Sequence, residues 1–189
     1  MGGLVSPQVV CFFVLFSPSP HPIYARERAM IILGIDPGSR RTGWGLVRKE
    51  GGGASYLASG TVNLNGKLPL EARLVILAES LERLLGEHRP ESCAIESIFS
   101  AKNARAALVL GHARGVILCT VARHGVPLRE YAPTLVKQTV VGQGRASKDQ
   151  IQRMVALLLG RANPLGEDEA DALAVALTHA AASRLEQRA

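Results

Sequence analysis

IILGIDPGSRRTGWGLVRK, residues 31–49, decides how the rest of the chain is read. Ile31 to Asp36 is a short apolar run of β-branched character, PGSRRTG interrupts it, and Trp44 to Lys49 resumes strand chemistry. Two strands joined by a glycine-rich turn are the expectation. EGGGA supplies a second turn and Ser55 to Asn63 a third strand, so the body opens with antiparallel hairpins. From Leu70, apolar side chains recur at 74, 77, 78, 81, 84 and 85, which predicts a helix that stops before Arg89-Pro90. A strand follows at Ser92 to Glu96, a helix from about Lys102 to Arg123, a strand at Val126 to Tyr131, and a helix or turn opened by Pro133. Ser147 and Gln150 have the S-x-x-Q spacing of a capping box, predicting a helix from there to near Gly160. After ANPLGE comes a last, Ala-rich helix. Hairpins followed by alternating helix and strand predict an α/β domain with a mixed sheet.

Four carboxylates stand at the joints of this pattern. Asp36 ends one apolar strand, and Pro37-Gly38 turns the chain beyond it, which predicts an exposed carboxylate at a strand end. Glu96 ends another in the same way, and Asp168 and Asp171, three residues apart, share one helix face that continues to Val175. Each has a plain alternative: a turn residue, a solvated strand end, acids that complement a helix N-terminus. Together they bring oxygen ligands from three distant segments to one point, an arrangement suited to hard divalent cations and phosphate chemistry.

The chain has 189 residues, 47% of them hydrophobic, with 22 basic against 16 acidic side chains. One core is expected, and a polyanion is a natural partner. Residues 1–29 differ from the rest: Val9 to Phe16 is apolar, SPSPHP follows, and three of the four phenylalanines lie there. No Lys or Arg precedes the apolar run, and Ile23 and Ala25 make a poor cleavage pattern, so a signal peptide fits badly. The expectation is an N-terminal extension, disordered or arising from a start assigned too early, ahead of a single domain at 30–189. Cys11, Cys93 and Cys119 make no CxxC pair, and Cys93 and Cys119 are expected to be buried thiols in a reducing cytoplasm. His88, His112, His124 and His179 have no metal-ligand spacing and are expected at the surface or at helix caps.

ILGIDPGSRRTGWG, AIESIFSAKNARAALVLGHARG, VKQTVVGQGRASK and NPLGEDEADALAVALTH resemble, in order, blocks of the RuvC Holliday junction resolvases across nearly all of residues 30–182. The resemblance implies a ribonuclease H-like fold with a mixed central sheet flanked by helices. It also implies a homodimer that nicks four-way DNA junctions in pairs, acting in recombination and repair beside a branch-migration helicase complex of the RuvA and RuvB type. Carried over by position, the catalytic and metal-binding acids are Asp36, Glu96, Asp168 and Asp171, with Asp36 shared between two Mg²⁺ per subunit and Mn²⁺ able to substitute. The family tolerates a histidine at the position of Asp168. Phe99, Lys137, Arg145 and Lys148 are implied DNA contacts, Phe99 as an aromatic that meets an unstacked base and the basic residues as phosphate partners, with Arg153 nearby. The departure from the family is the 29-residue extension.

Two rivals follow from the same residues. GIDPGSRRTG also resembles the phosphate-binding hairpin of actin-like ATPases and sugar kinases, which need a second large lobe that this chain is too short to supply. A non-catalytic junction-binding protein would not need all four acids.

Overall fold

The computed structural model describes residues 29–97 and 104–186. Its strands are β1 Met30–Asp36, β2 Arg41–Glu50, β3 Gly53–Asn63, β4 Ser92–Glu96 and β5 Leu128–Tyr131; its helices are α1 Leu70–His88, α2 Ala104–Arg123, α3 Pro133–Val141, α4 Lys148–Leu158 and α5 Glu167–Glu186. The sheet order is β3-β2-β1-β4-β5. β1, β2 and β3 pair antiparallel as hairpins, whereas β4 joins β1, and β5 joins β4, in parallel. The mixed sheet is therefore as expected, and its parallel half is reached through helical crossovers, the connection that parallel strands require.

Three strand starts differ from the sequence reading by two residues or more, β3 opening at Gly53 rather than Ser55. β2 begins at Arg41 rather than Trp44, because the turn is confined to Pro37–Arg40 and Thr42 is already buried, its hydroxyl donating to the Gly38 carbonyl at 3.5 Å. β5 begins at Leu128 rather than Val126: Pro127 has no N–H for the ladder and gives only its carbonyl, which accepts from Cys93 N at 2.8 Å. The capping box at Ser147 and Gln150 forms in both directions.

Alternation along the strands divides the core. Leu33, Ile35, Leu46, Cys93 and Ile95 point to the layer containing Leu77, Leu81, Ile117 and Val121 from α1 and α2. Ile32, Val47 and Ala94 point to the opposite layer, built from α3, α4 and α5. With a period of two, Asp36 lies on the same face as Ile32, and Glu96 on the same face as Ala94. Both carboxylates thus face α5.

α5 lies unusually close to that face because the strands beneath it carry glycines. A Cβ on Gly34 would stand 2.1 Å from the Ala172 carbonyl oxygen, and one on Gly43 1.9 Å from that of Asp168. The helix backbone rests directly on the sheet backbone at these positions. Its buried residues are correspondingly small, with Ala170, Ala172, Ala174 and Ala176 fully enclosed.

Cys93 is buried as expected, and burial pushes its thiol up to about 12. Cys119 is exposed, contrary to expectation: its neighbours Ile117 and Val121 turn into the core, whereas Cys119 lies with Leu108, Gly111 and Gly115 on a face of α2 that nothing in the described residues covers.

Candidate active site of four carboxylates

The sheet register makes Asp36 and Glu96 neighbours. β1 and β4 pair in parallel through Ile35 and Ile95, and the two acids come one residue later, on strands about 4.8 Å apart. α5 enters across the same strand ends with Asp168 in its first turn and Asp171 one turn on. The glycine track lets it approach closely enough for Asp168, Asp171 and Glu96 all to act electrostatically on Asp36.

Asp36 is half-buried, not the exposed strand-end acid that its turn suggested, because α5 covers the end of β1. Its carboxyl is raised from an ordinary 3.8 to about 8, first by burial, then by the charges of Glu96, Asp171 and Asp168, with Lys148 opposing. Glu96 is raised by burial and by Asp171, against the lowering influence of Lys137, a hydrogen bond with Asp36, and Lys148. Asp171 is raised by burial, and Lys148 and Lys137 again oppose. Buried acids that share a proton and repel one another form a site where a cation can replace the proton. Among the described residues, no three such side chains are already drawn together around one point as a finished metal cage. The all-oxygen donor set nevertheless fits a hard divalent ion, whose charge would relieve the repulsion that these pKa shifts express.

The same shifts fix a pH dependence in chelator. An acid whose folded pKa is raised favours the native state most below its ordinary value. That advantage is lost as pH rises through the window from 3.8 to about 8. Metal-free Asp36→Asn should therefore match the wild type in stability near pH 4 and exceed it near pH 8. Thermal unfolding at the two pH values checks this, and equal melting at both would mean that the carboxyl is not under the strain described.

The basic residues divide into groups. Lys137 on α3 and Lys148 at the start of α4 both act electrostatically on the acids, and Lys148 also pairs with Glu167. That pairing raises the lysine and lowers the glutamate. Arg145 and Arg153 are exposed on the α3–α4 loop and on α4. Asp168 is held by Arg41, Nε to Oδ2 at 3.1 Å. Phe99 lies outside the described residues.

Two contributors escaped the sequence reading. Arg114 of α2, with only 15% of its side chain exposed, donates to the Glu96 carbonyl at 2.9 Å and pairs with Glu130 at 2.6 Å, so it holds the end of β4 from below. A basic residue inside an otherwise apolar helical stretch was the available signal. His179 is buried on α5, where a surface or capping place was expected: Nε2 lies 2.7 Å from Ser92 Oγ on β4, and Nδ1 2.7 Å from the Tyr131 hydroxyl on β5. It was misjudged because its partners come from strands far away in the chain. His124 does take a capping role, its Nδ1 3.0 Å from the Thr120 carbonyl.

Comparison with known proteins agrees with this architecture. The family model described as "Crossover junction endodeoxyribonuclease RuvC" matches residues 32–179. The RuvC protein of Afipia carboxidovorans is 50% identical over 154 residues, covering 82% of this chain and 90% of that protein. The Thermus thermophilus RuvC structure superposes with a TM-score of 0.76 at 35% identity, covering 83% of this chain and 97% of its own. T. thermophilus RuvC in complex with a Holliday junction substrate gives 0.79 at 34% identity, with 83% and 96% covered. With the hairpins, the parallel strands and the strand-end acids all in place, this chain belongs to the crossover junction endodeoxyribonuclease RuvC family.

Proposed function

We propose that this protein is a structure-selective endonuclease that resolves four-way DNA junctions by paired symmetric nicks in recombination and repair. The observation that carries the reading is the meeting of Asp36, Glu96, Asp168 and Asp171 at one end of the sheet, within a chain of this family. These acids would hold Mg²⁺, two ions per subunit, with Mn²⁺ as a substitute. When bound, such ions supply water activation and charge stabilisation at the leaving oxygen, giving 5′-phosphate and 3′-hydroxyl ends. Asp36 is central because it feels all three other acids. Lys137 and Lys148, beside the cluster, attract the DNA phosphates, with Arg145 extending the contact. Phe99 is assigned to an unstacked base on the strength of the family resemblance.

The test is incubation of the protein with a synthetic four-way junction and a matched linear duplex, with and without Mg²⁺. Symmetric nicks on the junction alone, dependent on the metal, are expected. Metal-independent binding without incision would favour a junction-binding protein instead. The reading extends to a cytoplasmic location and to work beside a branch-migration helicase of the RuvA and RuvB type.

A homodimer is part of the same proposal, since two like-polarity cuts call for two identical sites about one axis. Ala107, Gly111 and Gly115 form a small-residue stripe on α2, and an added Cβ at Gly111 or Gly115 meets nothing within 4 Å. Leu108 beside them is 64% exposed. An apolar face of this kind on a soluble domain marks an interaction surface. Gly111→Leu should fold normally yet halve the solution mass and abolish paired cutting. An active dimer in this variant would move the interface elsewhere.

The domain is proposed to be complete from Met30. A chain beginning there should melt within about 2 °C of the full-length protein, a shift of at most about 1 kcal/mol for this size, and cut junctions equally well. Marked instability would assign residues 1–29 to the fold.

A further inference from the structure

A second basic site lies on the opposite face of the sheet from Lys137 and Lys148. Arg40 from the β1–β2 turn, Arg73 from α1 and Arg105 from α2 line one cleft of about 270 Å³, together with Ser39, Gly66 and Val109. Three separate elements thus deliver guanidinium groups to one place, and no acidic side chain is among the described residues that line it. Guanidinium groups stay charged at any working pH, so a cleft lined by three of them draws anions. Arg73 adds a second sign: its Nε is buried and has no hydrogen-bond partner among the described residues. A buried donor left so costs stability until an acceptor arrives.

Size and position narrow the ligand. The cleft is smaller than the roughly 300–1,000 Å³ typical of pockets for drug-sized molecules, which suits one phosphate group and part of its sugar better than a whole nucleotide cofactor. Ser39 follows Asp36 by three residues, which at the reach of an extended chain places the Ser39 edge of the cleft within ~10 Å of the acid's backbone. Charges recur about every 3.4 Å of axis along one strand of duplex DNA, so that reach corresponds to about three nucleotides.

We infer that Arg40, Arg73 and Arg105 together seat a single phosphodiester of the DNA strand, within about three nucleotides of the cut. The inference rests on the junction-cutting reading above and deepens it. Lysines hold the strand from the α3–α4 side of the sheet and this arginine seat holds it from the α1–α2 side, so the strand is fixed across the strand ends where the acids lie.

Salt dependence distinguishes one shared phosphate from three separate contacts. The slope of log K against log salt counts phosphates neutralised, about 0.9 each on duplex DNA. The Arg40→Gln/Arg73→Gln/Arg105→Gln protein, bound to a synthetic junction in chelator, should lose roughly tenfold or more in affinity at moderate salt, the scale of a charge-assisted contact. Its slope should fall by about 0.9. A fall of about 2.7 would mean three independent phosphates, and an unchanged slope would mean no contact; either overturns the shared seat. The triple Arg→Lys protein keeps the charges and should keep the slope, and thermal unfolding of each variant separates lost binding from lost fold.

Neutral methylphosphonates, placed singly within three nucleotides of the cut, locate the phosphate. One position should weaken wild-type binding while leaving the triple Gln variant indifferent. If no position behaves so, while inorganic phosphate protects only the wild type from thermal unfolding, the cleft takes free phosphate and the DNA assignment falls. A wild type that binds and cuts junctions while the arginine variants do likewise would overturn the seat alone; a wild type that does neither would overturn the function itself.

Discussion

Asp36→Asn is expected to lower junction cutting by well over 100-fold while leaving junction binding unchanged or tighter. Loss of an outer partner of a metal ligand alone typically costs roughly 10–100-fold, and Asp36 is the acid on which the other three converge. Removing its charge also lessens repulsion of the incoming phosphates, which is why binding should not fall. Single-turnover cutting, set beside equilibrium binding of the same junction, separates the two effects. Equal losses in both would show that Asp36 supports DNA contact or the fold instead of the chemistry. Glu96→Gln and Asp171→Asn should behave alike. Asp168→Asn should be milder, because Arg41 already neutralises part of that charge.

Gly34→Ala should be among the most damaging single-methyl changes in the protein. Its Cβ would fall 2.1 Å from the Ala172 carbonyl and 2.7 Å from the Ala176 nitrogen, both backbone atoms that no rotamer change can move aside. Overpacking usually costs about 1–3 kcal/mol, and this case belongs at or above the top of that range. At about 2–4 °C per kcal/mol for a domain of this size, the melting temperature should drop by roughly 6–12 °C. Cutting should fall even below the melting temperature, because α5 can accommodate the methyl only by lifting Asp168 and Asp171 away from Asp36 and Glu96. Gly86→Ala in α1 is the control: an added Cβ there meets nothing within 4 Å, and alanine favours a helix over glycine by about 0.5–1 kcal/mol. A Gly34→Ala protein as stable as wild type would mean that the helix does not rest on the sheet as described.

What could be read from the sequence was local. The apolar runs that stop at Asp36 and Glu96 marked both as strand-end acids, and the three-residue step from Asp168 to Asp171 put both on one helix face. Ser147 and Gln150 announced the start of α4. What could not be read depended on which elements meet. Gly34 passed without remark inside the first strand and Gly43 was placed in the turn, because only the packing of α5 reveals why a side chain is excluded there. Asp36 was judged by its turn rather than by the helix that covers it. Arg40, Arg73 and Arg105 are scattered in sequence, and nothing in their spacing predicts a common cleft. Arg114 and His179 were passed over for the same reason, since their partners lie 16 to 87 residues away.

The His179 link has a consequence at the far end of the molecule. Ser92 and Glu96 are four residues apart on β4, a span of ~13 Å at strand rise. Asp171 and His179 are eight apart on α5, a span of ~12 Å at helical rise. The two elements run in opposite directions and are joined at one end through Ser92 Oγ and His179 Nε2 at 2.7 Å, so their nearly equal lengths bring Glu96 and Asp171 level at the other. Strand and helix act as the two arms of a caliper whose jaws are the acids and whose rivet is an imidazole. The opening between the jaws is set ~13 Å away from the acids themselves.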